Sequence, residues 1–360
     1  MFKRPLTRSL AGALVLSATL GLTACSSSGS GSGSGTPTVK LMVGGIDKQI
    51  YLPYQLAQQL GYYKKFGVNV VLSTETDGGI GAEDAMASGQ VDMTGAWYVH
   101  TIDFQVKGKA VEDIVNLSGA PGEREMCTTN SGVHSPADFA GKTLGVTDLG
   151  SGTDTLTQFL AAQSKLKPDQ YSRIGVGAGS TAVAALQNGK TACVMTTQPT
   201  VTAIQKKNIG YSAVDLATTT GAQQAMGGTW PSAGVLAQTA WVNSHKEAAQ
   251  KVVNALVATM HWIDSHSAAD IANALPPSYV SNGTFTKDDY ISALTQDKGQ
   301  FLPDGIMPAN GPKTVLATEK LVGVKTDSVN LGTTLTNEFA IAANKAQGFT
   351  TSTTPADSNG

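Results

Sequence analysis

From residue 38 onward the chain repeats one pattern: a short apolar run, a turn of small residues, an amphipathic stretch, then another apolar run. Strands separated by helices at that pace cannot pair as hairpins; they build βαβ units and a parallel sheet. The apolar runs at 39–43, 68–72, 91–94 and 114–117 are read as strands, with helices over 52–60 and 82–87 and another from Tyr98. The pattern then restarts, with strands at 143–146, 174–176 and 193–196 and helices beginning near Thr153 and Thr181.

An internal echo supports the restart. Residues 85–92 (AMASGQVD) and 185–192 (ALQNGKTA) each give a helix end, a glycine stop and a strand entry. Two similar α/β lobes follow from this. Beyond about Ser244 the character turns helical, with Ala249, Val252, Val253, Leu256, Met260 and Ile263 on one face of a helix over 245–266. The expected division is 38–121 for the first part of lobe one, 122–226 for lobe two, and 227–348 for the return to lobe one and the C-terminal helices. The polar residues 349–360 are read as a disordered tail.

The first 24 residues read as a processing signal. Lys3, Arg4 and Arg8 precede an apolar stretch over 10–22, too short to cross a hydrocarbon core of about 30 Å. The stretch ends in Leu22-Thr23-Ala24-Cys25, which resembles a bacterial lipobox and makes Cys25 the expected lipidation site. Alternating Ser and Gly follow, so 25–37 is a flexible tether between an anchor and a folded body. The expected location is the outer face of the cytoplasmic membrane or the periplasm.

Charge narrows the partners. Only 14% of residues are charged and the net charge is −2. Losing the signal removes three basic residues and no acidic one. A mildly acidic chain without a Lys/Arg block excludes nucleic acid as the partner. Cys127 and Cys193 lack zinc spacing and are read as two buried free thiols, with a disulfide as the alternative.

Several blocks are shared with a known family. They are 51–68 (YLPYQLAQQLGYYKKFGV), 85–92, 135–145 (SPADFAGKTLG), 150–153 (GSGT), 184–199 (AALQNGKTACVMTTQP), Trp262-Ile263 and 304–307 (DGIM). In that order they resemble the nitrate/sulfonate/taurine-type substrate-binding proteins, a group that also includes pyrimidine-precursor binders. The resemblance implies a two-lobed type II periplasmic-binding-protein fold, each lobe a mostly parallel sheet flanked by helices with a ligand cleft between them. It implies a monomeric solute-binding component of an ABC importer, with a permease and an ATPase as partners, no cofactor and no catalysis. The solute expected is a small organic anion (sulfonate-, nitrate- or taurine-like, or an aromatic carboxylate), with a pyrimidine precursor as the alternative. One departure bears on the ligand: the family pattern has Asp-Ala and Glu-Pro where this chain has Thr191-Ala192 and Gln198-Pro199. A carboxylate that relatives offer is therefore missing here.

In open α/β sheets the ligand lies beyond the carboxyl ends of the strands, beside helix N-termini. Four loops meet that description. The first carries Asp47, Lys48 and Gln49. The second carries Trp97 and Tyr98, with His100 read as a satisfied helix residue directed elsewhere. The third is Gly150-Ser151-Gly152-Thr153, where glycine permits close backbone approach and Ser151 or Thr153 can cap a helix or hold an anion. The fourth is Gln198-Pro199. Trp230 near the return crossover is expected to close the pocket, and Arg124 is read as a surface ion pair with Glu123 and Glu125, with an anion clamp as the alternative.

Enzyme readings fail on motifs. Gly175-Val176-Gly177-Ala178-Gly179 lacks both the sixth glycine and the acidic residue of a dinucleotide loop. There is no GxxxxGK[ST], HExxH or GxSxG. Relatives that make a pyrimidine precursor use a cysteine-rich iron motif, which three isolated cysteines cannot supply.

Overall fold

The computed structural model describes residues 35–75 and 79–356. The signal segment, Cys25 and the tether up to residue 34 lie outside the described residues. Among the described residues ten strands form two five-stranded sheets. The first contains β1 (Thr38–Val43), β2 (Asn69–Thr74), β3 (Met93–Trp97), β4 (Val111–Asn116) and β10 (Ala233–Gln238), in the order β2-β1-β3-β10-β4. The second contains β5 (Glu123–Thr128), β6 (Thr143–Val146), β7 (Ser172–Gly175), β8 (Cys193–Thr197) and β9 (Gly210–Asp215), in the order β7-β6-β8-β5-β9.

β1 pairs in parallel with β2 and β3, and β6 in parallel with β7 and β8. In each sheet one strand runs against its neighbours: β10 between β3 and β4, and β5 between β8 and β9. Both strands begin just after the chain crosses from one sheet to the other, so each sheet is mixed rather than purely parallel. The central strands β3 and β8 are buried along their whole length, because helices cover both faces. β5, β9 and β10 are not among the strands read from the sequence: β5 opens with the charged run Glu123-Arg124-Glu125, and β9 and β10 are rich in small residues.

The sequence echo is a geometric one. The helices Ile80–Ala87 and Ser180–Gln187 end in the same hydrogen-bonded turn. Gly89 N donates to Met86 O and Gln90 N to Ala85 O; Gly189 N donates to Leu186 O and Lys190 N to Ala185 O. Both glycines adopt positive φ, +78° and +65°, which a side chain disfavours.

Two expectations are corrected. Cys127 and Cys193 are bonded to each other, not free. They sit directly opposite on antiparallel β5 and β8, a register in which facing side chains are in contact, and both are fully buried. Residues 349–356 are not a disordered tail. Asp304 accepts hydrogen bonds from Ser352 N and Thr353 N, and Ala356 N donates to Met307 O. The polar composition conceals this because the segment is held largely through backbone amides, with Phe349 and Ala356 as its apolar contacts to the core. Among the described residues no helix is long and apolar enough to cross a membrane.

Candidate functional site

The carboxyl ends of β1 and β3 face those of β6 and β8, and the four loops identified from sequence meet there in pairs. Gln49 N donates to Gln198 O at 3.0 Å, joining the first loop to the fourth. Trp97 lies on Gly152, joining the second to the third: a Cβ at residue 152 would overlap the indole ring. Glycine is required there because the ring and the helix N-terminus share one space.

Between the two sheets lies a cavity of about 10 Å³, walled by Lys48, Tyr51, Glu83, Trp97, His100, Glu123, Thr147, Gly152 and Thr153, with Ile50 and Gly79 completing it. That is room for about one water molecule. Outside Lys48, which borders both spaces, a cleft of about 800 Å³ opens between residues 45–48, 74–75, 176–181, 199–203 and 278–285.

Of the sequence candidates, Lys48, Trp97, Gly152 and Thr153 line the cavity, while Asp47, Lys48 and Pro199 line the cleft. Ser151 stands just behind the cavity wall. Its hydroxyl lies 3.0 Å from Thr147 Oγ1 and 2.8 Å from Thr153 Oγ1, and donates to Asp148 O. Gln49 bridges the loops, its side-chain amide donating to Tyr290 O. The Gln198 side chain turns back to accept from Thr202 N and Oγ1.

Three candidates are placed elsewhere by packing. Tyr98 is fully buried with its hydroxyl 2.6 Å from Thr334 Oγ1. Trp230 is likewise fully buried, its indole N–H donating to Thr318 Oγ1, with its ring edge-on to Trp97 at 5.5 Å between centroids. It backs the pocket wall instead of closing the pocket. Arg124 is neither at the surface nor paired with Glu123 and Glu125. It is 5% exposed, forms a bidentate pair with Asp297 at 2.8 and 2.7 Å, and donates from Nε to Asp215. Three of its five N–H groups are committed to aspartates, whose charges offset its own.

Tyr51, Glu83, His100, Glu123 and Thr147 are cavity residues that the strand-end rule did not single out. Glu83 and His100 come from helices, and Glu123 opens the antiparallel strand that periodicity does not expose. His100 does not point away as expected: it lies in the wall, with Nε2 3.3 Å from Glu83 Oε1 and Nδ1 3.0 Å from Asp103 Oδ2. Its helix begins at the strand end, so the first turn still faces the cavity.

The electrostatics are those of an acceptor-rich wall. Burial pushes Glu123 up to about 8 despite the pull of Lys48 and Arg124, and one of its oxygens is buried without a hydrogen-bond partner. Burial raises Glu83 to about 7 against the pull of His100. Its Oε1 contacts the imidazole only obliquely and keeps its acceptor capacity. For His100, burial opposes the charge, but Glu83 and then Asp103 outweigh it and raise the ring to about 9. Burial lowers the Lys48 ammonium, countered by Glu123, Glu75 and Asp47; its Nζ donates to Gly44 O at 2.8 Å. The N-terminus of the helix Gly152–Gln163 is already closed by its own residues. Ser151 Oγ accepts from Asp154 N, Asp154 Oδ2 accepts from Gly150 N, and Asp154 is paired with Arg173.

Comparison with known proteins agrees with this architecture. The structure resembles that of a protein of Bordetella bronchiseptica RB50, 29% identical, with a TM-score of 0.81 over 86% of this chain and 98% of that one. It also resembles the periplasmic nitrate-binding protein of Synechocystis PCC 6803, 15% identical, TM-score 0.69, covering 87% and 89% of the two chains. The periplasmic aliphatic sulphonate-binding protein of Escherichia coli is 16% identical, TM-score 0.59, covering 85% and 99%. The same fold serves a desulfurization enzyme, 13% identical, TM-score 0.60, over 86% and 99%. No curated protein matches the sequence. The family model described as NMT1/THI5 like matches residues 50–268, more than half of the chain, and the protein belongs to that family.

Proposed function

We propose that this protein is the extracytoplasmic solute-binding component of an ABC importer, not an enzyme, held at the membrane through a lipid on Cys25 and acting as a monomer. The observation that carries the reading is the meeting of two sheets, carboxyl ends inward, on a polar cavity and an open cleft that share Lys48 as a wall. A solute gripped by both faces favours the closed arrangement, which then docks on the permease.

For the solute, the wall chemistry favours the pyrimidine-precursor alternative over a small organic anion. As it stands the cavity holds about one water, so its walls must part to admit a solute; a nitrogenous ring then brings N–H donors to the unpartnered oxygens of Glu123 and Glu83 and a flat face to Trp97. An anion meets those same carboxyls, while each group suited to it already faces an acceptor of this chain. Lys48 is tied to Gly44 O, Arg124 to two aspartates, and the Gly152–Gln163 helix N-terminus to Asp154.

The test is a thermal-shift screen of the soluble body from residue 36 against aminopyrimidines, sulfonates, nitrate, bicarbonate and aromatic carboxylates. A ligand at 100 times its dissociation constant adds about 2.7 kcal/mol and raises Tm by several degrees. Aminopyrimidine hits that weaken tenfold or more in Glu123→Gln support the base reading. Hits confined to sulfonates or nitrate, strengthened by the same substitution, would overturn it in favour of the anion.

A further inference from the structure

The space that a solute can occupy is very unevenly divided. The inner cavity admits about one water, whereas the cleft beyond Lys48 holds about 800 Å³ and borders both sheets. Clefts of roughly 300–1,000 Å³ are the size class that encloses ligands with several rings or branches. A single pyrimidine leaves most of this cleft empty.

The chemistry of the outer walls differs from that of the inner one. The Asp47 carboxylate stands at the mouth, close enough to Tyr279 to raise its hydroxyl, after burial as the larger cause. The Tyr279 hydroxyl is itself tied to Gln55 Oε1 at 3.2 Å, which leaves the ring as its contribution to the cleft. Opposite lies the glycine-rich turn ending in Gly179, whose amide is anchored to Thr200 Oγ1 at 2.9 Å, followed by Ser180 and Thr181. Ser278, Asn282 and Thr284 add further hydroxyl and amide groups along the third wall. A carboxylate with hydroxyls, amides and an aromatic face is the donor–acceptor set that suits a neutral hydroxylated ring. A carboxylate accepting from a ribose hydroxyl is a recurrent form of that recognition.

Resting on the base-binding reading above, in which the inner walls part to admit a ring, we infer that the cargo has two parts: a nitrogenous base directed past Lys48 at Glu123, and a hydroxyl-rich substituent of about ribose size that occupies the cleft between Asp47, Gly179 and Tyr279. The solute is then nucleoside-sized. Lys48, which borders both spaces, stands at the junction of the two parts. The turn over 175–179, which lacks the pattern of a dinucleotide loop, serves as a wall for an uncharged ring rather than a cradle for phosphate.

Isothermal titration of the soluble body with matched pairs, cytosine against cytidine and adenine against adenosine, tests this directly. The nucleoside of at least one pair is expected to bind tenfold or more tighter than its base. Ser278→Trp, an exposed position where a bulky ring fills the cleft without entering the core, is expected to abolish that advantage and leave the free base unchanged. Tyr279→Ala is expected to reduce it. Equal affinities within every pair, or a nucleoside advantage untouched by Ser278→Trp, would overturn the inference while the base reading stands. Failure of every base and nucleoside to bind would overturn both.

Discussion

Glu125 is a carboxyl with no hydrogen-bond partner on either oxygen, fully buried on β5 two residues from the bridged Cys127. Burial, and then the neighbouring Glu123, push it from an ordinary 4.5 up to about 8. The native state therefore holds a proton there that the unfolded chain releases above about pH 4.5. This contribution to stability is full below that pH and is lost as pH rises to about 8, at no more than about 1.4 kcal/mol per pH unit. Urea midpoints measured from pH 4.5 to 8.5 should fall with pH, and Glu125→Gln should flatten the slope. An identical slope in the variant would assign the dependence to other groups. Trp97 poses a different question at the same scale. Trp97→Ala opens the contact with Gly152 and removes the flat face, and base affinity should drop tenfold or more by calorimetry. Trp97 was legible in the sequence because it ends a strand. Glu123 and Glu83 were not, because acidic residues read as solvated until a fold encloses them. Trp230 misled for a related reason: an aromatic near a crossover can back a wall as readily as face a ligand.

At the scale of elements, the repeated helix–glycine–strand turn was readable because positive φ restricts the residue choice to very few. Gly189 has nothing within 4 Å of an added Cβ, so Gly189→Ala isolates the backbone cost, about 1–2 kcal/mol in chemical denaturation. Gly152→Ala meets no such backbone cost but collides with Trp97, and should lose more, with ligand binding lost alongside. Equal destabilisation by the two substitutions would contradict the close approach described here. The disulfide was not readable, since Cys127 and Cys193 stand 66 residues apart and only the β5–β8 register brings them together. Reduction should cost about 2–4 kcal/mol, seen as a lower urea midpoint with reductant present. The antiparallel strands mark the limit of periodicity. A search for βαβ units finds the parallel partners, and β5 and β10, which run against their neighbours, lie outside it.

For the whole molecule, the alternation of strands and helices gave the architecture of two α/β units, and the cleft followed from where strand ends must lie. What lay beyond reach was the sign of the site. Helix N-termini promise anions, yet the one most exposed to this expectation is closed by Asp154, and acidic residues enter the cavity from both sides, Glu83 beside the first sheet and Glu123 from the second. Small-angle scattering of the soluble body with a tight ligand should show a smaller radius of gyration than without it. A ligand that binds tightly and leaves the radius unchanged would mean that the two faces do not close on the solute.

The placement of β10 sets an order of assembly. β5 to β9 lie within residues 123–215, an uninterrupted stretch, so the second sheet has all its strands once that stretch has emerged from the ribosome. The first sheet begins at residue 38 but lacks the strand between β3 and β4 until residue 238 is made. Until then the facing edges of β3 and β4 have no partner, and such edges recruit other strands. The half of the chain synthesised first is thus the half that finishes folding last, and any product truncated before residue 233 carries an open sheet at its centre.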